Sequence, residues 1–256
     1  MSAAFDRLAA EYDAGFTRTD LGTRLRRAVW SRLDALFPPG SRVLELACGT
    51  GEDAVHLGQR GVRVLATDAS SEMVRVAAAK VEQAGLTGTV EVRKMSVEEL
   101  PGMEEGPFDG ALSDFGGLNC VADFAEAGRS LAARLRPGAM AVLCVMGPAV
   151  PWEWLWFLGH GQPGKAFRRF TPGGVEWRGL RVRYPSIRRL RQSFAPGFRV
   201  RRVAALGALL PPPYAESWAG RHPGLVDRLD RWERRLETVP PLPWLADHYL
   251  MELERL

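Results

Sequence analysis

Two hydrophobic rhythms alternate along the first 150 residues. Leu21, Leu25, Val29, Leu33 and Leu36 recur three or four apart, which predicts a helix over 21–36 with one apolar face. Thr17, Thr19 and Asp20 offer N-cap chemistry before it, and Pro38-Pro39-Gly40 ends it. A further helical stretch is expected from residue 2 to the break near 16–20. Short continuous apolar runs then predict strands at 42–46, 62–67, 90–92, 108–113 and 139–146. Helical stretches at 52–59, 70–84 and 123–135 separate them. Buried strands alternating with helices predict an open α/β sheet covered on both faces. After Met146 the rhythm changes. A Trp-rich helical piece at 151–160 precedes a Gly/Arg-rich stretch of loops and short strands at 161–183, then a helix at 186–194 and a strand at 198–204. Pro211-Pro212-Pro213 interrupts the chain before a charged amphipathic helix at 223–239, and 247–253 alternates polar and apolar residues like a last strand.

Composition adds one asymmetry. The 256 residues are 46% hydrophobic and 25% charged, ordinary values that argue against disorder, collagen-like repeats and a disulfide scaffold. The net charge of +4 conceals −4 over residues 1–150 and +8 over 151–256. Tryptophan divides the same way, with only Trp30 before residue 150 and seven after it. Cys48, Cys120 and Cys144 are widely spaced, with no CxxC pair, so a reducing cytoplasmic setting is expected. The opening residues hold Asp6, Glu11 and Asp13 with no long apolar run, so no leader is expected. No stretch approaches the ~18 apolar residues of a membrane span, and no His, Cys or acid spacing suggests a metal.

The candidate chemistry begins at a glycine turn. Gly49-Thr50-Gly51-Glu52-Asp53-Ala54 fits the G-x-G-x-x-G/A template between a strand and a helix, and Asp68 ends the next strand. A dinucleotide would need its pyrophosphate at the helix N-terminus. That helix begins with Glu52 and Asp53, and Glu45 lies in the preceding strand. Negative charge there suits a cationic ligand without phosphate, such as S-adenosylmethionine, which carries a sulfonium and an ammonium. VLELACGTGEDAVHL followed by VLATDASSEMVRVAAAK resembles class I S-adenosylmethionine-dependent methyltransferases. FDRLAAEYDAGF is similar to the opening of small-molecule members such as those of quinone and biotin biosynthesis. The resemblance continues through Ser96–Leu100, Phe108-Asp109-Gly110 and 135–139.

What the resemblance implies is a Rossmann-like, mostly parallel seven-stranded sheet with an antiparallel last strand, and S-adenosylmethionine as cofactor, leaving as S-adenosylhomocysteine. Glu45, Ala47, Cys48, Gly49 and Gly51 are then expected at the methionine end, Asp68 at the ribose, and Ala69 and Met73 at ribose and adenine. Ser96, where many relatives carry aspartate, is expected with Val97 at the adenine. Tyr12 and Arg18 from the N-terminal segment and Ser113 at the end of the fourth strand complete the expected cofactor set. A single domain over 1–256 is expected: a helical cap (1–37), a cofactor-binding core (38–146), acceptor-covering insertions (147–185 and 211–245), and remaining core (186–210 and 246–256).

Methyl transfer from a sulfonium is an in-line displacement, so the protein must hold the nucleophile about 3–3.5 Å away and exclude water. A base is needed only when the nucleophile arrives protonated. Acceptors should bind outside the carboxyl ends of the strands. Asp114, Glu153 and His160 are the candidates for proton handling, and Phe115, Asn119, Trp152 and Trp156 for acceptor contact. A small aromatic or amphipathic acceptor bearing an O, N or S nucleophile is expected, in a monomer or homodimer. The Arg- and aromatic-rich second part admits an RNA or protein acceptor, although the absence of an RNA-binding module and the modest charge argue against nucleic acid. An NAD(P)-dependent oxidoreductase and a non-catalytic cofactor-binding protein are the readings from other classes.

Overall fold

Every second residue of a buried strand faces the same side of its sheet, and here that alternation divides the core in two. In the computed structural model, which describes residues 5, 6 and 8–256, the strands of the first part are β1 (Arg42–Leu46), β2 (Arg63–Asp68), β3 (Val90–Lys94), β4 (Phe108–Ser113) and β5 (Leu135–Met146). A separate hairpin, β6 (Val175–Trp177) and β7 (Leu180–Val182), precedes β8 (Phe198–Leu206) and β9 (His248–Arg255). Seven strands form one sheet in the order β3-β2-β1-β4-β5-β9-β8. β1 to β5 run parallel, and β9 is antiparallel to both of its neighbours. The last strand thus has the expected direction and lies between β5 and β8.

Eight helices position the site: α1 (Asp20–Leu36), α2 (Glu52–Gln59), α3 (Ser71–Gln83), α4 (Phe124–Arg134), α5 (Pro151–Gly159), α6 (Ile187–Phe194), α7 (Glu216–Arg221) and α8 (Pro223–Leu236). Leu44, Leu46, Leu143 and Val145 face α4 and α6, whereas Val43, Val64, Leu112 and Val142 face α1, α2 and α3. The apolar stripe Leu21, Leu25, Val29 and Leu33 buries α1 on the second face, and Thr19 caps it by accepting from the Gly22 amide at 3.0 Å. β5 begins at Leu135, four residues before the expected start, because Leu135 pairs with Phe108 ahead of a register shift.

The strand order reverses between β1 and β4, which places a crevice at their carboxyl ends. The N-terminal segment closes over it through a helical turn (Ala9–Tyr12) and a π-helical turn (Asp13–Thr17). Asp13 accepts from the Thr50 hydroxyl at 2.7 Å and pairs with Lys80 at 2.6 Å, and Asp6 accepts from the Ser70 hydroxyl at 2.5 Å. Residues 1–4 and 7 of the expected cap lie outside the described residues.

Asn119, expected to touch the acceptor, is a strut instead. It is fully buried, its Oδ1 accepts from the Met146 amide at 2.9 Å, and its Nδ2 donates to the carbonyls of Met146 (3.1 Å) and Arg183 (2.5 Å). It ties the ends of β4 and β5 to the chain leaving the β6–β7 hairpin. Asn119→Ala leaves these buried groups unpaired and is expected to cost roughly 2 kcal/mol. Urea unfolding checks this, and wild-type stability in the variant would contradict the strut.

Candidate cofactor and acceptor site

The crevice opens into a cavity of about 350 Å³. One end is built from the loops that follow β1 and β2. Gly49 and Ala47 both adopt positive φ (+54°) in the tight turn after β1, and a side chain on Gly49 would meet open space. Gly51 serves packing: a Cβ there would lie 2.8 Å from that of Ala77, so its glycine lets α2 approach α3. Asp68 bridges the loops, with Oδ2 accepting from the Gly49 amide at 2.9 Å and Oδ1 from the Ser70 amide at 2.8 Å. Burial raises its pKa, against the lowering effect of those two amides. Ala69, Met73, Ser96 and Val97 continue this wall. Ser96 also caps the 3₁₀ turn Val97–Gly102, its amide donating to Glu99 at 2.7 Å.

Beneath the loops lies a buried charge cluster. Alternation along β1 and β4 turns Glu45 and Asp114 toward the α1 face, where Arg26 pairs with Asp53 at 2.6 Å. Trp30 Nε1 donates to the other Asp53 oxygen at 2.6 Å, and the Arg26 guanidinium lies 4.8 Å from the centroid of the Phe115 ring. Burial pulls Arg26 toward losing its proton, but attraction to Asp53 and Asp114 prevails and raises its pKa. Glu45 is raised well above its ordinary value by burial and then by Asp53, and Asp114 by the same causes to about 8. Glu45 Oε2, Asp114 Oδ2 and Ser113 Oγ are buried without partners. Tyr12, also on the wall, is pushed by burial to about 12.

Asp114, Phe115 and Met146 lead to the far end, enclosed by Arg168, Val175, Trp177, Val182 and Tyr184. Phe5 meets Trp177 at 6.3 Å between ring centroids, so the N-terminal segment and the hairpin join over the cavity.

Of the residues expected from the sequence, Tyr12, Ala47, Cys48, Gly49, Asp68, Ala69, Met73, Ser96, Val97, Asp114 and Phe115 line this one space. Glu45, Gly51 and Ser113 lie behind its wall. Several others lie elsewhere. Arg18 follows the π-helical turn and is carried off the wall. Glu153 is buried in ion pairs with Arg168 at 2.6 Å and Arg169 at 2.5 Å, so its carboxylate is occupied. His160 is exposed at the end of α5, with Nδ1 against the Trp156 carbonyl at 2.7 Å. Trp152 donates to the Leu209 carbonyl at 2.9 Å and packs on Trp218, and Trp156 packs on His160 and Tyr214. Glu52 and Asp53 are less available to a cation than their sequence position implied, because Lys80 and Arg26 neutralise them.

Sequence reasoning misses Arg26, and it picks out Arg168, Trp177 and Tyr184 only as members of the Arg- and aromatic-rich stretch rather than as residues of this cavity. Arg26 had a signal: it stands three before Val29 inside the apolar stripe. The hairpin had one too, since Arg178-Gly179, both at positive φ, joins two short alternating strands as a two-residue turn.

Comparison with known proteins places this geometry. Residues 43–138 match the family model described as a methyltransferase domain. This stretch, which holds the glycine turn and Asp68, is a methyltransferase domain. The chain is 32% identical over 154 residues to a demethylmenaquinone methyltransferase of Clavibacter sepedonicus, covering 59% of this chain and 60% of that one. It is 33% identical over 111 residues to a ubiquinone biosynthesis O-methyltransferase of Xanthomonas axonopodis pv. citri, covering 43% and 45%. The chain thus spans about half the length of these curated relatives. The fold is shared with an S-adenosylmethionine-dependent methyltransferase from Mesorhizobium loti at a TM-score of 0.60 and 21% identity, over 89% of this chain and 98% of that one.

The methyltransferase domain's cofactor fits the wall described. Gly49 leaves open space and Asp68 is an acceptor at the end of β2, while Glu45, with an unpartnered buried oxygen, lies behind the wall rather than on it. Asp68→Ala is expected to weaken S-adenosylhomocysteine binding by about 10- to 100-fold, the range for losing a charge-assisted hydrogen bond. Titration calorimetry reads this, and unchanged affinity in a folded variant would remove Asp68 from the site.

Proposed function

We propose that this chain transfers a methyl group to an oxygen, nitrogen or sulfur nucleophile of a small aromatic or amphipathic molecule, with Asp114 receiving the nucleophile's proton. When bound, S-adenosylmethionine supplies the activated methyl group on its sulfonium. The observation that carries this reading is the single cavity that runs from Gly49 and Asp68 past Asp114 to an apolar chamber at Trp177 and Tyr184. The residues divide the work between them. The loops after β1 and β2 hold the cofactor, and Phe115, Trp177 and Tyr184 orient the acceptor and exclude water. The O-methyltransferase name of one relative supports an oxygen nucleophile.

Asp114 has the geometry of a proton acceptor. Oδ1 is held by the Phe115 amide at 2.9 Å, and Oδ2 is buried with only the Cys144 thiol beside it, in a residue that lines the cavity. Phe115 itself takes a positive φ of +41°, so the chain turns sharply there. With a pKa of about 8, the carboxyl is protonated at lower pH and becomes a base above it. The methylation rate of a protonated nucleophile is therefore expected to rise with pH through about 8. Asp114→Asn should lower kcat by about 10²- to 10⁴-fold and remove that pH dependence, with S-adenosylhomocysteine affinity nearly unchanged. The assay uses methyl-labelled cofactor with a panel of phenols, hydroxyquinones, amines and thiols. A variant with wild-type kcat would show that the nucleophile arrives already deprotonated. Stability gives a second readout. The folded state holds this proton at pH values where the unfolded chain, with an ordinary aspartate, has lost it, so wild-type stability falls as pH rises between the two pKa values. The asparagine variant should lack this fall.

Trp177→Ala is expected to raise the acceptor KM about tenfold, with cofactor affinity changed little. Equal losses in both would make Trp177 a packing residue of the whole cover.

A further inference from the structure

Helix α5 is inside out. Its fully buried residue is a carboxylate, Glu153 at 1% exposure, whereas Leu155 and Leu158 are 70% and 47% exposed. An amphipathic helix of a water-exposed surface does the reverse. The cause lies in the ion pairs: Arg168 and Arg169 draw Glu153 inward and so turn the leucines out. Phe167 and Phe170 extend the apolar surface. They pack beside Trp154, at 6.1 and 5.9 Å between ring centroids, and Phe170 is 51% exposed. Exposed leucines and aromatics in one patch mark an interaction surface.

Charge indicates the partner. Residues 151–195 carry nine cations against Glu153 and Glu176. Arg168 and Arg169 are taken by Glu153, but Lys165, Arg178, Arg181, Arg188, Arg189 and Arg191 are exposed and form no ion pair among the described residues. Exposed leucines and aromatic rings in an insertion whose Lys165, Arg178 and Arg181 are exposed and unpaired match the interface of an anionic bilayer, where apolar groups enter the acyl boundary and cations meet the headgroups. A nucleic acid would use the cations and leave Leu155 and Leu158 in water. A second copy of this chain would bring the same positive charge to both sides of the contact.

We propose that the outer surface of this segment, centred on Leu155, Leu158 and Phe170, docks on an anionic lipid surface. Trp177 belongs both to the cavity wall and to the exposed surface of the same segment, so the docked protein holds its acceptor chamber close to the bilayer. An acceptor partitioned into lipid would suit that placement. This consequence rests on the methyl-transfer reading, and the docking itself does not.

The test is flotation of the full chain with vesicles of phosphatidylcholine alone or containing phosphatidylglycerol, at low and high salt. The expected result is flotation with the phosphatidylglycerol vesicles, weakened by salt and at least about tenfold poorer with phosphatidylcholine alone. The double variant Leu155→Glu, Leu158→Glu should lose about tenfold or more of the partition coefficient. Its S-adenosylhomocysteine binding, read by calorimetry, should stay at the wild-type value, which shows that fold and cofactor site survive. Arg178→Glu with Arg181→Glu, outside the cavity, should weaken flotation and flatten its salt dependence. Wild-type protein that ignores phosphatidylglycerol overturns the proposal. So does a dimer in light scattering that the leucine variant converts to monomer, which would assign the patch to a second copy. Salt-sensitive RNA retention without flotation overturns it as well.

Discussion

The site depends on one buried guanidinium. Arg26 stands on α1 among Glu45, Asp53 and Asp114, three carboxylates that the sheet and α2 bring to the same face. Burying so many acids without a cation would be strongly unfavourable, and even a buried ion pair gains only when its remaining hydrogen bonds are satisfied. Here Trp30 completes Asp53, and the Phe115 ring lies beside the guanidinium. One cation cannot satisfy three acids, so Glu45 and Asp114 are left with raised pKa values and unpartnered oxygens. In the proposed reading, the same shortage leaves Glu45 as an unpaired acid beneath the loops after β1 and β2 and makes Asp114 the proton acceptor.

A second ion network fixes the cover. Glu153 joins Arg168 and Arg169, and Arg169 reaches Asp247 at 2.5 Å. Although burial pushes Asp247 upward, Arg169 and His248 hold its pKa well below the usual carboxylate range. Arg169 also donates to the carbonyls of Gly147 and Asp247, so the segment after β5 is tied to the start of β9. The insertion is thereby anchored to the sheet by charge, and its aromatic residues are free to face the cavity on one side and the surroundings on the other.

The cofactor half was legible because its signals are local. A buried parallel strand is a continuous apolar run, and a glycine turn followed by a helix and a terminal Asp68 belongs to one βαβ unit, so the expected bounds of β1, α2 and β4 agree with the structure. The acceptor half was read less well because its contacts are distant in sequence. Whether the carboxylate of Glu153 faces a substrate or two arginines depends on Arg168 and Arg169, fifteen and sixteen residues later. Trp152 and Trp156 are large aromatics on a short helix, yet α7 and Tyr214 cover them, and the hairpin lines the cavity instead. Asn119 is likewise ambiguous by sequence, since a polar residue after a strand serves equally as ligand or strut.

The division of charge along the chain now has a physical reading. The acidic first part supplies the floor beneath the loops after β1 and β2, with Arg26 and Lys80 moderating it, and the basic second part places unpaired cations on the exposed surfaces of the segment after β5 and of α6. The central claim is that the cavity takes a cationic adenosyl cofactor rather than a dinucleotide. Its most direct test is parallel titration calorimetry of the unmodified protein with S-adenosylmethionine and with NADH. Saturable heat with S-adenosylmethionine and none with NADH is the predicted result, and saturable NADH binding with no response to S-adenosylmethionine would contradict the account.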